Sequence, residues 1–538
     1  MSNNRSEYTK HRLIPYLLVS VATGVLTGVL IFLFKLAASA VISFSNEIYA
    51  YIRLHPSFLP LLVAGAALVG LVAALLLRFA PDCRGGGIPT AIALLRGLIP
   101  FNWIKSIVCL FASAMLTYLC GVPLGNEGPS VQMGTAVGRG AVRVFAPKHP
   151  AWNRYIMTGG ACAGFAAATG APVTGIFFAF EEAHRNFTPM IFNVAAMTVI
   201  TGSATMQLLC SLFHVEYALF GLTVDAVLPL RYLWVAILVG LAAGFAAAGF
   251  AKCYRIIRRF VRKTLCAIPF SIKIMAIFAG VSLIGFVSAD CIGSGHRLVE
   301  ELFEGHGVWY GLILCFLVRA ILLLVANNAD VTGGLFVPTL AFGAIIGALC
   351  GRALTASGLL PGDYAVIMVI IGMSAFLGAS SRTPIMAITF SIEALCGLNN
   401  LLPIVLGVTF AFLVVEALGI KGFSETVIES KAETTHAGKT ARIVDTHLRV
   451  AHDAFAVGKE IRDVLWPPTC VVLSVQKNPQ PGELPSVGLA EGDVLHVHYQ
   501  TYDLEQTMES LEALVGAQEV DPAARVRVSA ENHQVPEY

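Results

Sequence analysis

The sequence predicts an all-α polytopic membrane protein ending in a small α+β domain. Three observations predict it: scarcity of charge, long uncharged apolar runs, and a change of character near residue 440. Of 538 residues, 56% are hydrophobic and 13% charged, about half the charged share of an ordinary globular chain. That leaves too little polar surface for a water-exposed body of this size, so most of the chain faces lipid or other protein. Formal charge is nearly balanced, with 36 Lys plus Arg against 34 Asp plus Glu. The 12 cysteines form no Cys-x-x-Cys pair, and His496 and His498 have no cysteine beside them. Neither a disulfide framework nor a zinc site is predicted, and no cofactor is expected.

Leu13–Phe34 (22 residues), Pro60–Leu77 (18) and Tyr232–Ala251 (20) carry no charge, and about 20 residues suffice for a helix to cross hydrocarbon. The first run exceeds the apolar core of a signal peptide and reads as an uncleaved helix. Arg5, Lys10 and Arg12 precede it, while Lys252, Arg255, Arg258, Arg259, Arg262 and Lys263 crowd what reads as one loop. The excess of basic residues on cytoplasmic segments makes both cytoplasmic, with residues 1–12 as a cytoplasmic N-terminus. Nothing else supports nucleic acid as a partner.

From residue 440 onward there are 7 Lys plus Arg and 15 Asp plus Glu, net −8, which leaves +10 for the rest. The boundary lies in a polar segment, Ile428–Lys439, read as a linker over 431–441 between an apolar domain at 13–430 and a soluble module at 442–516. A polar tail at 517–538 ends the chain. Within the module, strands are predicted at Cys470–Val475 and Asp493–Tyr499, and a helix over Asp503–Val515. The module is cytoplasmic if the number of spans is even.

An internal repeat organises the apolar domain. Gly125–Gly138 aligns with Gly334–Gly347 at an offset of 209, and Pro172–Glu181 aligns with Pro384–Glu393 at an offset of 212. Membrane proteins with repeated, Gly/Pro-interrupted apolar segments are usually transporters or channels, with the site at the repeat interface.

Three breaks interrupt the apolar runs: Gly85-Gly-Gly-Ile-Pro89, Gly125-Asn-Glu-Gly-Pro129 and Gly333-Gly-Leu-Phe-Val-Pro338. Proline fits a helix's first turn, and the glycines before it leave amide N–H groups unobstructed. Inside hydrocarbon such donors need partners, so converging helix starts would hold an anion. Any one break alone reads equally as a tight packing turn. Glu127 sits inside the second break, where its carboxylate would use the donors an anion needs. Protonation would release it, linking proton uptake to anion entry. The plainer alternative is a fixed acid satisfying local amides. Of the adjacent Glu181 and Glu182, the first has a repeat partner in Glu393 and suits a structural or interface role. Glu182 is left as the functional candidate, or as a solvated acid beside His184 and Arg185.

With these residues in view, GGGIP, GNEGP and GGLFVP resemble the signatures GSGIP, GREGP and GxFxP of the CLC chloride channels and proton-coupled chloride antiporters, over about residues 13–430. The resemblance implies a homodimer in a lipid bilayer, each subunit built of two inverted repeats with broken helices, moving chloride or a similar small anion and protons. A bacterial inner membrane with cytoplasmic termini is expected. By motif position, Glu127 corresponds to the external gating glutamate and Glu182 to the internal proton-transfer glutamate. Leu335 and Phe336 supply amides to the central anion. Gly86, Gly87, Ile88, Asn126 and Gly128 complete the anion-binding set. Phe423 falls near the position of the inner coordinating tyrosine.

The chain departs from the signatures at three of these positions. Gly86 replaces the usual serine, Asn126 the usual basic residue, and Phe423 lacks the tyrosine hydroxyl. Backbone amides must then do more of the binding. Chloride/proton exchange is the leading expectation, and a passive voltage- or proton-gated chloride channel or a fluoride/proton antiporter is the alternative. An enzyme using Glu127 and Glu182 as an acid–base pair has no nucleophile, metal set or nucleotide loop to support it. The module at 442–516 resembles the TrkA C-terminal (RCK-C) ligand-binding module, through its strand pattern and Leu489-Ala-Glu-Gly-Asp-Val494. This implies a regulatory role with a small-molecule or ion ligand, a dimer-stabilising cap being the alternative.

Overall fold

The computed structural model describes residues 14–221, 226–264, 267–396, 398–436, 440–478, 488–516, 518–519 and 525–528. The expected N-terminal segment, with Arg5, Lys10 and Arg12, and most of the tail at 517–538 lie outside the described residues.

The apolar part begins with α1 (Ile14–Leu54), α2 (Leu59–Phe79), α3 (Ile88–Leu95), α4 (Trp103–Leu119), α5 (Glu127–Phe145), α6 (Asn153–Thr169), α7 (Pro172–Phe178) and α8 (Pro189–Phe213). It continues with α9 (Leu233–Thr264), α10 (Phe270–Val287), α11 (His296–Phe303), α12 (Trp309–Asn328), α13 (Phe336–Ala356), α14 (Ala365–Ser381), α15 (Pro384–Ser391), α16 (Leu401–Ala417) and α17 (Phe423–Thr435). Among the described residues, eight helices are long and apolar enough to cross a membrane. Leu18, Leu61, Leu208 and Leu314 are 63–68% exposed, which fits a lipid-facing surface and not a watery one. By contrast α3, α7 and α15 have 8, 7 and 8 residues, about 12 Å of helix. They are too short to span and act as half-helices.

The basic cluster from Lys252 to Lys263 is not a loop but the end of α9, which runs for 32 residues. Lys and Arg are good helix formers, and a helix of about 48 Å outreaches the roughly 30 Å hydrocarbon core, so its charged end projects beyond it. There Arg258 pairs with Glu433 of α17 at 3.3 Å. Helix α17 continues through Thr435, into the segment expected to be linker.

The two halves are related by a two-fold rotation, visible in bonds between repeat-equivalent residues. Gly125 N–H donates to the Gly334 carbonyl (2.8 Å) and Gly334 N–H to that of Gly125 (2.7 Å), an antiparallel bridge. Residues that bond reciprocally to their own equivalents lie beside the symmetry axis, and because the strands there are antiparallel, the halves run in opposite senses. The axis recurs at the carboxylates. Glu181 accepts from the amides of Ile385 (2.9 Å) and Met386 (2.6 Å), and Glu393 from those of Val173 (2.7 Å) and Thr174 (2.8 Å). Each acid thus caps the half-helix of the opposite repeat, α15 or α7, which gives Glu181 the structural role its repeat partner suggested.

The C-terminal module is a sheet of β1 (Arg442–Arg449), β2 (Val471–Gln476), β3 (Val494–Thr501), β4 (Gln518–Glu519) and β5 (Arg525–Val528), with α18 (Leu504–Val515) packed on it. The strand order is β2-β3-β1-β4, and β5 also pairs with β1. The two expected strands and the helix are present. Strand β1 was not expected; its inner residues Val444 and Leu448 meet Leu495, Val497, Leu511 and Leu514 in the module's core. At the β3 entrance, Asp493 is 1% exposed. Burial alone would raise its carboxyl. The amide of Ala490 (2.9 Å), the Lys477 ammonium (2.9 Å) and the amide of Asn478 (3.1 Å) outweigh that and hold it below the usual carboxylate range. A depressed folded value means this stabilisation is complete above the unfolded value of about 3.9 and disappears as pH falls through the folded one. Asp493→Asn is therefore expected to cost the module about 1–3 kcal/mol at neutral pH, with the difference from wild type shrinking below about pH 4. Amide protection along β3, corrected for intrinsic exchange, measures it.

The module docks on the helical domain. Tyr155 Oη accepts from Leu465 N–H (2.9 Å) and donates to the Asp463 carbonyl (3.2 Å), while its ring lies 5.5 Å from that of Phe455. Arg154 donates both to the Leu465 carbonyl (3.0 Å) and to that of Leu95 (3.1 Å), the last residue of α3. Asn186 donates to the Arg462 carbonyl at 3.3 Å. Tyr155→Phe removes both hydroxyl bonds at once, and is expected to accelerate amide exchange at Leu465 about fivefold, near the worth of one net hydrogen bond.

Candidate functional site: converging helix starts around a buried carboxylate

The three breaks meet. Gly85 takes φ +62°, the left-handed turn that glycine tolerates, and donates its N–H to the Asp330 carbonyl at 2.8 Å. Gly333 N–H then donates to the Gly86 carbonyl at 3.1 Å, and the Gly125–Gly334 bridge joins the second break to the third. At the centre, a Cβ on Gly128 would lie 2.6 Å from Gly334 Cα and 2.7 Å from Gly87 Cα. Only hydrogen fits at that crossing, so glycine here allows three chain breaks to touch.

From this knot three helices start: α3 after Gly87, α5 after Asn126 and α13 after Leu335. The first N–H groups of each helix have no acceptor within it. Ile88 (7% exposed), Leu335 (9%) and Phe336 (4%) are buried, so their amides lie away from water. Positive helix ends gathered in a low-dielectric interior can hold an anion without any charged side chain.

Glu127 is 0% exposed at the first position of α5. Its carboxylate is directed at its own amide and at that of Val337 in α13, yet neither oxygen makes a well-aligned hydrogen bond. The acid therefore occupies the helix ends without being locked to them. Asn126 is half-buried, its Oδ1 also lacking an aligned partner. It faces a cavity of about 580 Å³ that Lys35, Tyr118, Asp290, His296 and Arg319 also line. Gly86 is closely packed: a Cβ would come within 2.5 Å of Leu110 Cδ1 and 3.2 Å of Gln132 Oε1. A serine there would require these neighbours to move.

Phe423, 5% exposed, opens α17 and packs its ring against Tyr254 (4.6 Å) and Phe250 (5.8 Å). The next residue reaches the other candidate acid: Ser424 Oγ donates to Glu182 Oε1 at 2.7 Å. Glu182 is 7% exposed, in a π-turn (Ala179–Ala183) that extends α7. The expected residues thus gather in two places, the glycine knot with Glu127 and the first turn of α17 with Glu182.

Several participants had not been expected. Tyr118 Oη donates to the Gly125 carbonyl at 3.1 Å. Lys431 of α17 donates to the Arg84 carbonyl at 2.6 Å, bracing the first break. Arg319, 1% exposed, donates to the carbonyls of Asp290, Ile292 and Gly293 at 2.8–2.9 Å. Arg319 did carry a signal, a single charge inside an apolar run, which in a membrane marks a partnered residue.

The model of the voltage gated chloride channel family matches residues 65–416. A protein named H(+)/Cl(-) exchange transporter ClcA from Klebsiella pneumoniae is 29% identical over 390 residues, 71% of this chain and 81% of its own length. One of the same name from Salmonella paratyphi B is 28% identical over 432 residues, 79% of this chain and 90% of its own. The structure of a slow cyanobacterial Cl-/H+ antiporter superposes with a TM-score of 0.72 at 24% identity, covering 78% of this chain and 99% of that one. That of a CLC-type fluoride/proton antiporter gives 0.61 at 21%, covering 75% and 96%. With the family model spanning well over half of its residues, the chain belongs to the CLC family of voltage gated chloride channels.

Proposed function

We propose that the protein is a secondary active antiporter exchanging chloride for protons across a lipid bilayer. One observation carries this: three helix starts touch at a single point beside a fully buried, loosely held carboxylate. The amides of Leu335 and Phe336, with the starts at Gly86–Ile88 and Asn126–Gly128, form the anion seat. Phe423 packs at the start of α17. Glu127 is the acid that takes turns with the anion, and Glu182 is the second proton-transfer group, reached from the opposite side. The names of the relatives, exchange transporters of chloride and protons, support the same reading.

The transport domain is the stretch 13–430, and the module at 442–516 is a regulatory domain for a small-molecule or ion ligand. Its grip on Arg154 and Tyr155, close to the Glu182 turn and the end of α3, supports that role. The protein is a homodimer in a bacterial inner membrane. Half-exposed apolar residues beside the reciprocal caps, Val173 (47%) and Ile385 (50%), support a subunit face there. The Arg258–Glu433 pair places the basic end of α9 beside the helix leading to the module, consistent with one cytoplasmic side for both. The test is flux in liposomes: purified protein in vesicles with an outward chloride gradient and no pH gradient should drive protons uphill. Chloride flux with no proton movement at any pH gradient would overturn exchange.

A further inference from the structure

The turn bearing Glu182 is held by the first turn of α17 in a particular way. Ser424, itself 9% exposed, gives its hydroxyl to one Glu182 oxygen at 2.7 Å. The next residue, Glu425, pairs with Arg96 at 3.2 Å and with Arg185 at 3.4 Å. Arg96 in turn donates to the Ala183 carbonyl at 3.3 Å, closing the turn from its far side. The remaining neighbours are engaged elsewhere: both Glu181 oxygens are on α15 amides, and His184 Nε2 is 2.7 Å from Thr158 Oγ1.

A group that must gain and lose a proton needs a partner that serves both states. A hydroxyl does so, donating to a carboxylate and accepting from a carboxylic acid. A guanidinium does not, because a direct charged pair favours the ionised form alone. The guanidinium groups of Arg96 and Arg185 lie near enough to act on the charge of Glu182, and Glu425 pairs with both.

We propose that Ser424 is a positioning residue for proton transfer at Glu182, and that Glu425 keeps Arg96 and Arg185 from locking that carboxylate. This rests on Glu182 being a proton-transfer group. The test measures chloride and proton flux together in vesicles containing the full-length protein. Ser424→Ala is expected to lower proton flux roughly tenfold, as loss of a hydrogen bond to a charged group does, with chloride flux within about twofold of wild type. Ser424→Thr, which keeps the hydroxyl, should restore the ratio, and Glu425→Gln should lower proton flux as Ser424→Ala does. An unchanged proton-to-chloride ratio in Ser424→Ala overturns the inference, as does parallel loss of both fluxes that Ser424→Thr fails to rescue. Glu182→Gln separates the two levels. If it keeps proton flux, the assignment of Glu182 falls and the inference with it; if it loses proton flux while Ser424→Ala does not, only the positioning role falls.

Discussion

Glu127→Gln, reconstituted in vesicles, is expected to move chloride while proton movement falls about 100-fold or more, the range over which a positioned proton-transfer group acts. The reason lies in where the side chain sits. Glu127 is fully buried at the meeting point of the helix starts and directed at the Val337 amide. In the proposed exchange its negative form competes with an anion for the same N–H groups, and its neutral form does not. Glutamine has nearly the same shape but neither titrates nor carries charge, so an anion displaces it from the helix starts more readily and the proposed proton carrier is lost. Simultaneous recording of pH and chloride in the vesicle lumen checks this. Wild-type proton flux in the variant would remove Glu127 from the mechanism.

Gly128→Val is expected to abolish both fluxes and to lower stability by about 3 kcal/mol, at the upper end for overpacking. The new Cβ would fall 2.6 Å from Gly334 Cα and 2.7 Å from Gly87 Cα. Both obstacles are backbone, so no side-chain rotation relieves the clash, and the breaks must separate. Separation also strains the Gly125–Gly334 bridge. Gly280→Ala is the control: it lies within α10, and a Cβ there meets nothing within 4 Å. It should leave flux and melting temperature essentially unchanged. Thermal unfolding in detergent alongside chloride flux makes the comparison, and a Gly128→Val protein with normal chloride flux would show that the knot is dispensable.

Much of the transport domain was legible because its signals are local or periodic. The scarcity of charge shows in the composition as a whole, the long apolar runs and the Gly/Pro breaks each lie within about twenty residues, and the repeat is visible as two constant offsets. Glu127 could be singled out because it stands inside a break, and Glu181 could be separated from Glu182 because only Glu181 had a repeat partner. The basic cluster read as a loop for lack of any length signal, since a helix leaving the bilayer keeps its hydrogen bonds while its side chains change from apolar to charged. The extra strand β1 was overlooked because its alternation is short and blurred, with polar Thr446 on the buried face and apolar Ile443 on the outer one.

The sequence by itself determined the membrane setting, the two-fold plan, the broken helix starts and the candidate acids, because apolar length, glycine and proline constrain the chain wherever they occur. Only the tertiary structure decided that the three starts touch, that Glu181 and Glu393 cap each other's half-helices, and that Ser424 reaches Glu182 across 242 residues. Those contacts depend on how two inverted halves pack, and an atom's partner some two hundred residues away is fixed by the sum of that packing, which no local pattern encodes.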